Sequence, residues 1–567
     1  MRLTLTSKVY TALGVTCLGL VLLLHCRASA NDDELLAVPS KLPALDIYGG
    51  YKDVHVRGTG YFRVEKVGNR WTFVTPDGNA FWMRSIYYVV ADSGTTYGNA
   101  VANKYGISNF PQMAGQRMQS WGFNSLADDM NSKMLPVSTY WSSNTNPVKM
   151  PFLRYLLGSD WAERSSGSGG GNVKEIVSNG VNFTYYTGWR GQFPDVFDPA
   201  FATFYTKMAS DPANQYTPAL TNSPWLIGTV PDDADSLFGF KDGPGCTSNP
   251  HPHLAWIVAV TSPKQTSNSS RGASYSDTAV YTKLAWRDYL KTKYSSSLSA
   301  LNSAWGSNYT TWDSTGTWGS GTGLLDEDGR HAWMGKDIYS LTDTNANLRA
   351  DLDAFLGAIA DKYFSTVHDA IKAYTPNHMV FGPASLGTCT RPQILKSAGK
   401  YIDVLEIGTV WNARPELLPA IYDITKRPMV LWTTYQAQSD SAMAAYPGSA
   451  WPELNYSTQA LRGQAYANAM QTVMGETASS DGSNPVIGIK WWQWNDNPGE
   501  HVNFGLASLS DNAYDGSEAV HASVACSYPE QTYLCGGEAG TYGNFISAVT
   551  NANAAIDQTL KTERGVK

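Results

Sequence analysis

The 567-residue chain is 43% hydrophobic and only 16% charged, which is enough apolar mass for a large core and excludes an intrinsically disordered protein. Its 42 Lys and Arg against 49 Asp and Glu give a net charge of −7 with no local basic patch, which argues against nucleic acid or an anionic lipid surface as partner. Aromatic residues reach 12%, with 19 Trp and 32 Tyr, a composition that suits stacking on the apolar faces of sugar rings as well as filling a core.

The first thirty residues have the form of an export signal. Arg2 and Lys8 make a basic start, residues 18–24 an apolar stretch, and Ala28-Ser29-Ala30 a small-x-small cleavage site. The apolar run is too short for a permanent anchor. A secreted or periplasmic protein, cleaved after Ala30 and free of the membrane, is therefore expected. Cleavage leaves 39 basic and 49 acidic residues, a charge of −10, and four of the six cysteines: Cys246, Cys389, Cys526 and Cys535. An even number permits two disulfides; proximity pairs Cys526 with Cys535 and leaves Cys246 for Cys389. No CxxC pair or His/Cys cluster has zinc spacing, so no metal and no cofactor are expected.

Residues 31–56 form an irregular lead-in. Alternating patterns at 61–65 and 71–75 predict strands, followed by the turn Pro76-Asp77-Gly78-Asn79, where Pro fixes φ and Gly allows it to be positive. Short apolar runs at 81–88, 123–127, 225–230, 379–383, 404–410, 429–435 and 486–494 predict further strands. They alternate with helical patterns at 110–121, 199–209, 278–294, 345–374, 391–398 and 458–476. This alternation predicts an α/β protein with a parallel sheet, most economically a (β/α)8 TIM barrel over residues 57–560 with long loop insertions and a short N-terminal β lead-in. A doubly wound open sheet is the rival, but no glycine-rich phosphate loop follows the first strand. The Gly/Ser-rich stretches 165–171 and 314–323 are loops, and no internal repeat is present.

Seven phrases carry a family resemblance. They are residues 70–81 (RWTFVTPDGNAF), 120–126 (SWGFNSL), 193–201 (FPDVFDPAF), 223–228 (SPWLIG), 300–306 (ALNSAWG), 401–404 (YIDV) and 491–506 (WWQWNDNPGEHVNFGL). In this order and spacing they resemble the agarase-like enzymes of glycoside hydrolase family 50, relatives of the family 42 β-galactosidases. The resemblance implies a (β/α)8 barrel acting on a β-linked galactose-type or similar polysaccharide or oligosaccharide.

Glycoside cleavage needs an acid for the departing oxygen and a second carboxylate, or a water it activates, across the cleft. The resemblance places the acid/base Glu of the family, preceded by Asn, just past the strand at 225–230. This chain continues there as Pro231-Asp232-Asp233-Ala234-Asp235, with Asp233 at the Glu position and Asp232 at the Asn. Negative charge from Asp232 and Asp235 would raise the pKa of Asp233 and suit it as a proton donor. A capped turn or a cation-binding acidic loop is the alternative. The family's nucleophile Glu ends the strand at 429–435, where this chain has Thr433 or Thr434, and threonine without a partner base is a poor glycosidic nucleophile.

Three explanations follow. Another acid takes over: Glu406 in the preceding strand, Glu500 beyond the last strand, or Asp128 or Asp129 after an early one. A distant acid holding a water would invert configuration. Alternatively, the chain captures sugar without cleaving it, or it does different chemistry such as polysaccharide lysis. Glu406 has a structural alternative, as the partner of an Arg or Lys inside the barrel.

Trp491, Trp492 and Trp494 crowd the last strand, where a period of two puts Trp492 and Trp494 on one face and Trp491 on the other. Trp411, Trp432 and Tyr435, at the ends of the two preceding strands, are candidates for sugar platforms or for core. Asp496, Glu500 and Asn503 resemble the positions where the family holds substrate hydroxyls, and Asp128, Asp232 and Asp235 join them as candidate binding groups. The expected function is an exported glycoside hydrolase with Asp233 as proton donor; a catalytically silent carbohydrate-binding barrel is its rival.

Overall fold

The computed structural model describes residues 44–127, 134–135, 147–156, 194–210, 220, 222–232, 267–268, 273–274, 281–316, 321–326, 345–384, 386–388, 390–408, 411–437, 454–475, 480–497, 503–516 and 544–563. The chain divides into Met1–Ala37 and Val38–Lys567, and all described residues belong to the second unit. Asp128, Asp129, Asp233, Asp235, Glu500 and the four cysteines outside the leader lie outside the described residues.

The described chain opens with a four-stranded antiparallel sheet. Its strands are β1 (Tyr51–His55), β2 (Arg63–Val67), β3 (Arg70–Val74) and β4 (Asn79–Phe81), in the order β1-β4-β3-β2. The turn between β3 and β4 is the one anticipated. Gly78 has φ +95°, and a Cβ there would lie 2.2 Å from the Val56 carbonyl oxygen, so only glycine fits. Strand β1 falls where an irregular lead-in was expected. It is a polar edge strand, with Lys52, Asp53 and His55 exposed, and pairing with β4 rather than its own pattern makes it a strand.

Eight parallel strands follow: β5 (Met83–Ile86), β6 (Ser125–Leu126), β7 (Phe152–Tyr155), β8 (Leu226–Val230), β9 (Met379–Val380), β10 (Leu405–Ile407), β11 (Met429–Thr433) and β12 (Val486–Trp491). Their order is β9-β8-β7-β6-β5-β12-β11-β10. The sheet curls, and its two edges are bridged in parallel at Phe381–Val404 and Leu386–Ile407. Both faces are buried, which is why these strands read as continuous apolar runs.

Strand β7 escaped the apolar pattern because it carries Arg154. That side chain is fully buried and donates to the Met208 and Ala209 carbonyls at the end of the helix Pro199–Ser210, meeting groups that the helix leaves unpaired.

Apolar side chains divide between the two faces of the sheet. Ile86, Phe152, Leu226, Leu405 and Leu431 pack outward against the helices. Tyr87, Leu153, Ile227, Val404, Val430 and Trp492 point inward, joined by Phe62, Phe73 and Phe81 of the antiparallel sheet. Tyr48 meets Trp225, just before β8, at a centroid distance of 4.6 Å, and Phe81 lies two residues before β5. Aromatic rings thus fill the inner face at the N-terminal ends of the strands.

Among the helices, Ala346–Tyr374 matches its expected span, with Asn345 accepting from the Asn347 and Leu348 amides. Asp195, in one of the resemblance phrases, takes the amides of Tyr281 and Thr282 and so caps Tyr281–Lys293. Burial pushes its carboxyl up to about 6 despite those hydrogen bonds. Among the described residues, no helix is long and apolar enough to cross a membrane.

Candidate active site at the carboxyl ends of the strands

At the C-terminal ends of the parallel strands the inner face is lined by rings around one ion pair. Trp432 on β11 and Trp492, just past β12, lie face to face at 5.4 Å with their planes 14° apart. Tyr87, after β5, contacts both indoles at 4.8 and 5.3 Å, and Tyr88 meets Trp492 edge-on at 4.7 Å. The Trp432 Nε1 and the Gln493 Oε1 are buried without a hydrogen-bond partner. Such groups beside ring faces suit a ligand with apolar faces and a polar rim.

Beneath the rings, Lys490 of β12 reaches Glu406 of β10 across β11, and both side chains are fully buried. Lys490 Nζ also donates to the Tyr155 hydroxyl at 2.5 Å, and that hydroxyl pairs with Tyr87. The ammonium lies 5.1–5.7 Å from the centroids of Tyr155, Tyr87 and Trp432. Glu406 therefore has the lysine partner of its structural alternative. Sequence analysis did not single out Lys490, Tyr155 or Tyr87. A lysine inside an otherwise apolar buried strand was the available signal, since lysine is almost never fully buried unless paired.

The other candidates fall in three places. Asp232, directly after β8, is 1% exposed and accepts from the hydroxyls of Tyr205 and Tyr363, which lie on helices packed outside the sheet. Both of these partners belong to the helix layer. The bond shows in the phenol as well: burial, then the Asp232 charge, pushes Tyr363 well above the usual tyrosine range. Removing that donor with Tyr363→Phe is expected to cost about 1.5–3 kcal/mol, the range for a hydrogen bond to a charged group, read by urea denaturation at pH 7.

Strand alternation ends with β12 at Trp491. Trp492 turns inward, while Trp494 packs outward on Trp121 at 5.5 Å and donates to Tyr97, so the two do not share a face. Trp411 and Tyr435 also lie in the outer layer, the first donating to the Trp432 carbonyl and the second against Trp491. Asp496 accepts from the Gly505 amide and the Tyr514 hydroxyl, and Asn503 donates to the Ala437 carbonyl. These two side chains therefore brace the loop after β12.

Three kinds of comparison bear on the fold and the site. No protein-family model matches the chain. β-Agarase B of Vibrio sp. (strain JT0107) is 24% identical over 526 residues, covering 84% of this chain and 49% of that protein. β-Agarase A of the same organism is 23% identical over 464 residues, covering 78% and 37%. A solved exo-β-agarase superposes with a TM-score of 0.60 at 20% identity, over 93% of this chain and 68% of its own. The agarase AgWH50C does so with a TM-score of 0.61 at 18% identity, over 92% and 68%.

The chain is similar to β-agarases. It spans about half the length of β-agarase B and 37% of β-agarase A, and it shares the fold of the solved agarases.

For a chain similar to β-agarases, the end of β11 is unusual. Thr433 and Thr434 stand where the resemblance implies a carboxylate, each 1% exposed. Thr434 donates to the Trp492 carbonyl at 2.6 Å, which ties the end of β11 to the turn that carries the inner tryptophan. The hydroxyl has become a brace between neighbouring strand ends. Among the described residues, Glu406 is the carboxylate on the inner face at this level, and Lys490 balances its charge.

Proposed function

We propose that this chain is an exported glycoside hydrolase cleaving a neutral or mildly anionic β-linked galactan-type polysaccharide at the mouth of a closed (β/α)8 barrel, with Asp233 as proton donor. The observation that carries this proposal is the Trp432–Trp492 ring pair with Tyr87 and Tyr88 at the strand ends, in a chain similar to β-agarases. Closure is supported by the bridges between the sheet edges. The role of Asp233, which lies outside the described residues, is supported by its place in the sequence just after β8, where the resemblance puts the acid/base Glu.

Glu406 is proposed to act by holding Lys490 and Tyr155 under the ring pair, which leaves Glu500, Asp128 or Asp129 as the candidate second acid. Export through residues 1–30 and the disulfides Cys246–Cys389 and Cys526–Cys535 belong to the same proposal.

A second proposal, sugar capture without cleavage, is favoured by one specific observation. Thr433 and Thr434 replace the strand-end carboxylate while the nearest inner acid is neutralised by Lys490. Incubation with a polysaccharide panel decides between the two. Hydrolysis is expected to release new reducing ends from a neutral β-galactan such as agarose, whereas binding with no new ends on any member would leave only capture.

A further inference from the structure

We propose a second carbohydrate-binding site, for neutral oligosaccharide, in a groove on the outer surface beside the helix Gln459–Gly475. The groove has a volume of about 350 Å³, within the range of small-ligand sites. Its exposed ring is the half-buried Tyr456, backed by Trp411, which touches the groove but is only 1% exposed. Its rim is amide and hydroxyl: Asn412 on one side, and Gln464, Asn468 and Thr472 on one ridge of the helix. Among the described residues, no ionisable acid or base lines it apart from the Tyr456 phenol, which burial pushes above its usual range and so keeps neutral.

The helix itself supports a neutral ligand. Arg462 is its one charged residue, and that side chain is buried, donating to the Tyr435 and Gly505 carbonyls. The exposed face of this 17-residue helix therefore carries no charge, with Leu461 standing 50% exposed at the groove. Solvated helix faces ordinarily carry charged residues. Amides, a hydroxyl, one tyrosine ring and an exposed leucine without charge match a pyranose, which offers apolar faces and hydroxyls that both donate and accept. Gln464 donates to Asn468 at 2.7 Å, which pre-orders the rim, and the Asn412 Oδ1 has no hydrogen-bond partner.

The groove adjoins the mouth through one wall. Trp411, buried behind the groove, donates to the Trp432 carbonyl at 2.8 Å, while the Trp432 ring faces Trp492 inside. A polysaccharide held on this surface would lie beside the mouth, raising the local concentration of chain there without taking part in cleavage.

The test uses the full chain carrying Asp233→Asn, so that the matrix is not digested, and reads retention in neutral agarose gels and binding of neoagarohexaose by calorimetry. Gln464→Ala with Asn468→Ala, both at exposed positions, is expected to weaken retention about five- to tenfold through the lost hydrogen bonds, with an unchanged melting curve. Reducing-end release from soluble hexaose by the same pair of changes in the Asp233 background is expected to stay unchanged. A sulfated galactan is expected to compete poorly.

Unaltered retention in the double variant, no retention of the parent chain, or equal competition by the sulfated galactan would each overturn the proposal. So would a Leu461→Glu variant that shifts from dimer to monomer on size exclusion with retention intact, since the face would then join two copies of the chain. Because retention is read without turnover, an inactive mouth would sink the hydrolase proposal and leave this one standing.

Discussion

Replacing Lys490 with methionine is expected to cost about 3–5 kcal/mol of folding stability, because it leaves the Glu406 carboxylate ionised and unbalanced in a fully buried site. Methionine keeps the length and apolar stem of lysine, so the loss measures the stranded charge rather than a cavity. The double variant Glu406→Gln, Lys490→Met removes both charges and is expected to recover most of the loss, since a buried pair is commonly worth little against neutral groups of similar volume.

The deficit of the single variant should shrink on acidification. A lone buried carboxylate prefers its neutral form, so its folded pKa is raised; stability is then greater at low pH and lost as pH rises. Urea denaturation monitored by tryptophan fluorescence from pH 5 to 8 reads both effects. A single variant as stable as the parent chain would show that the pair is not a buried charge balance. The double variant also bears on function: folded and active, it excludes Glu406 as the second acid; folded and inactive, it shows that the mouth needs the Glu406–Lys490 pair, as acid or as support for the rings.

Sequence carries the sheet and most of the helices because both faces of a parallel sheet are apolar, and long apolar runs survive any local detail. It loses elements whose reason lies elsewhere in the chain. Strand β7 is obscured by Arg154, whose charge is met by the carbonyls of a helix more than fifty residues later. Strand β1 is polar and exists through pairing with β4.

The same division holds at the site. Alternation separates Trp492 from Trp491 without telling which face is inward, and it wrongly keeps Trp494 with Trp492, because alternation stops at Trp491, where β12 ends. The Asp232 carboxylate accepts from two tyrosines on separate helices, partners that no local pattern beside position 232 could name. Lys490 and Glu406 are 84 residues apart, and only the order β12-β11-β10 brings them together. A charge inside an apolar strand signals that a partner exists, not which residue it is.

Asp233→Asn is expected to lower kcat on a cleavable galactan by about 10²–10⁴-fold while leaving oligosaccharide affinity within a factor of about two, the range that loss of a general acid produces. Asparagine keeps the shape and most hydrogen-bonding capacity of aspartic acid but has no proton to give the departing oxygen. Affinity should persist because, in the proposed site, sugar is held by the Trp432–Trp492 pair and Tyr88, which the substitution leaves in place. Trp492→Ala is the complementary change, expected to weaken binding about tenfold or more through loss of a stacking face.

The pH profile adds a second readout. A proton donor must be protonated in the free enzyme, so kcat/KM of the parent chain should fall as pH rises through the pKa of Asp233, and the asparagine variant should lose that limb. An unchanged rate in Asp233→Asn with an unchanged alkaline limb would remove position 233 from the chemistry. The proton would then have to come from another acid at the mouth. If neither the parent chain nor the variant releases reducing ends while both bind hexaose equally, the rings alone account for the site, and the threonines at the end of β11 mark a barrel that holds sugar without cutting it.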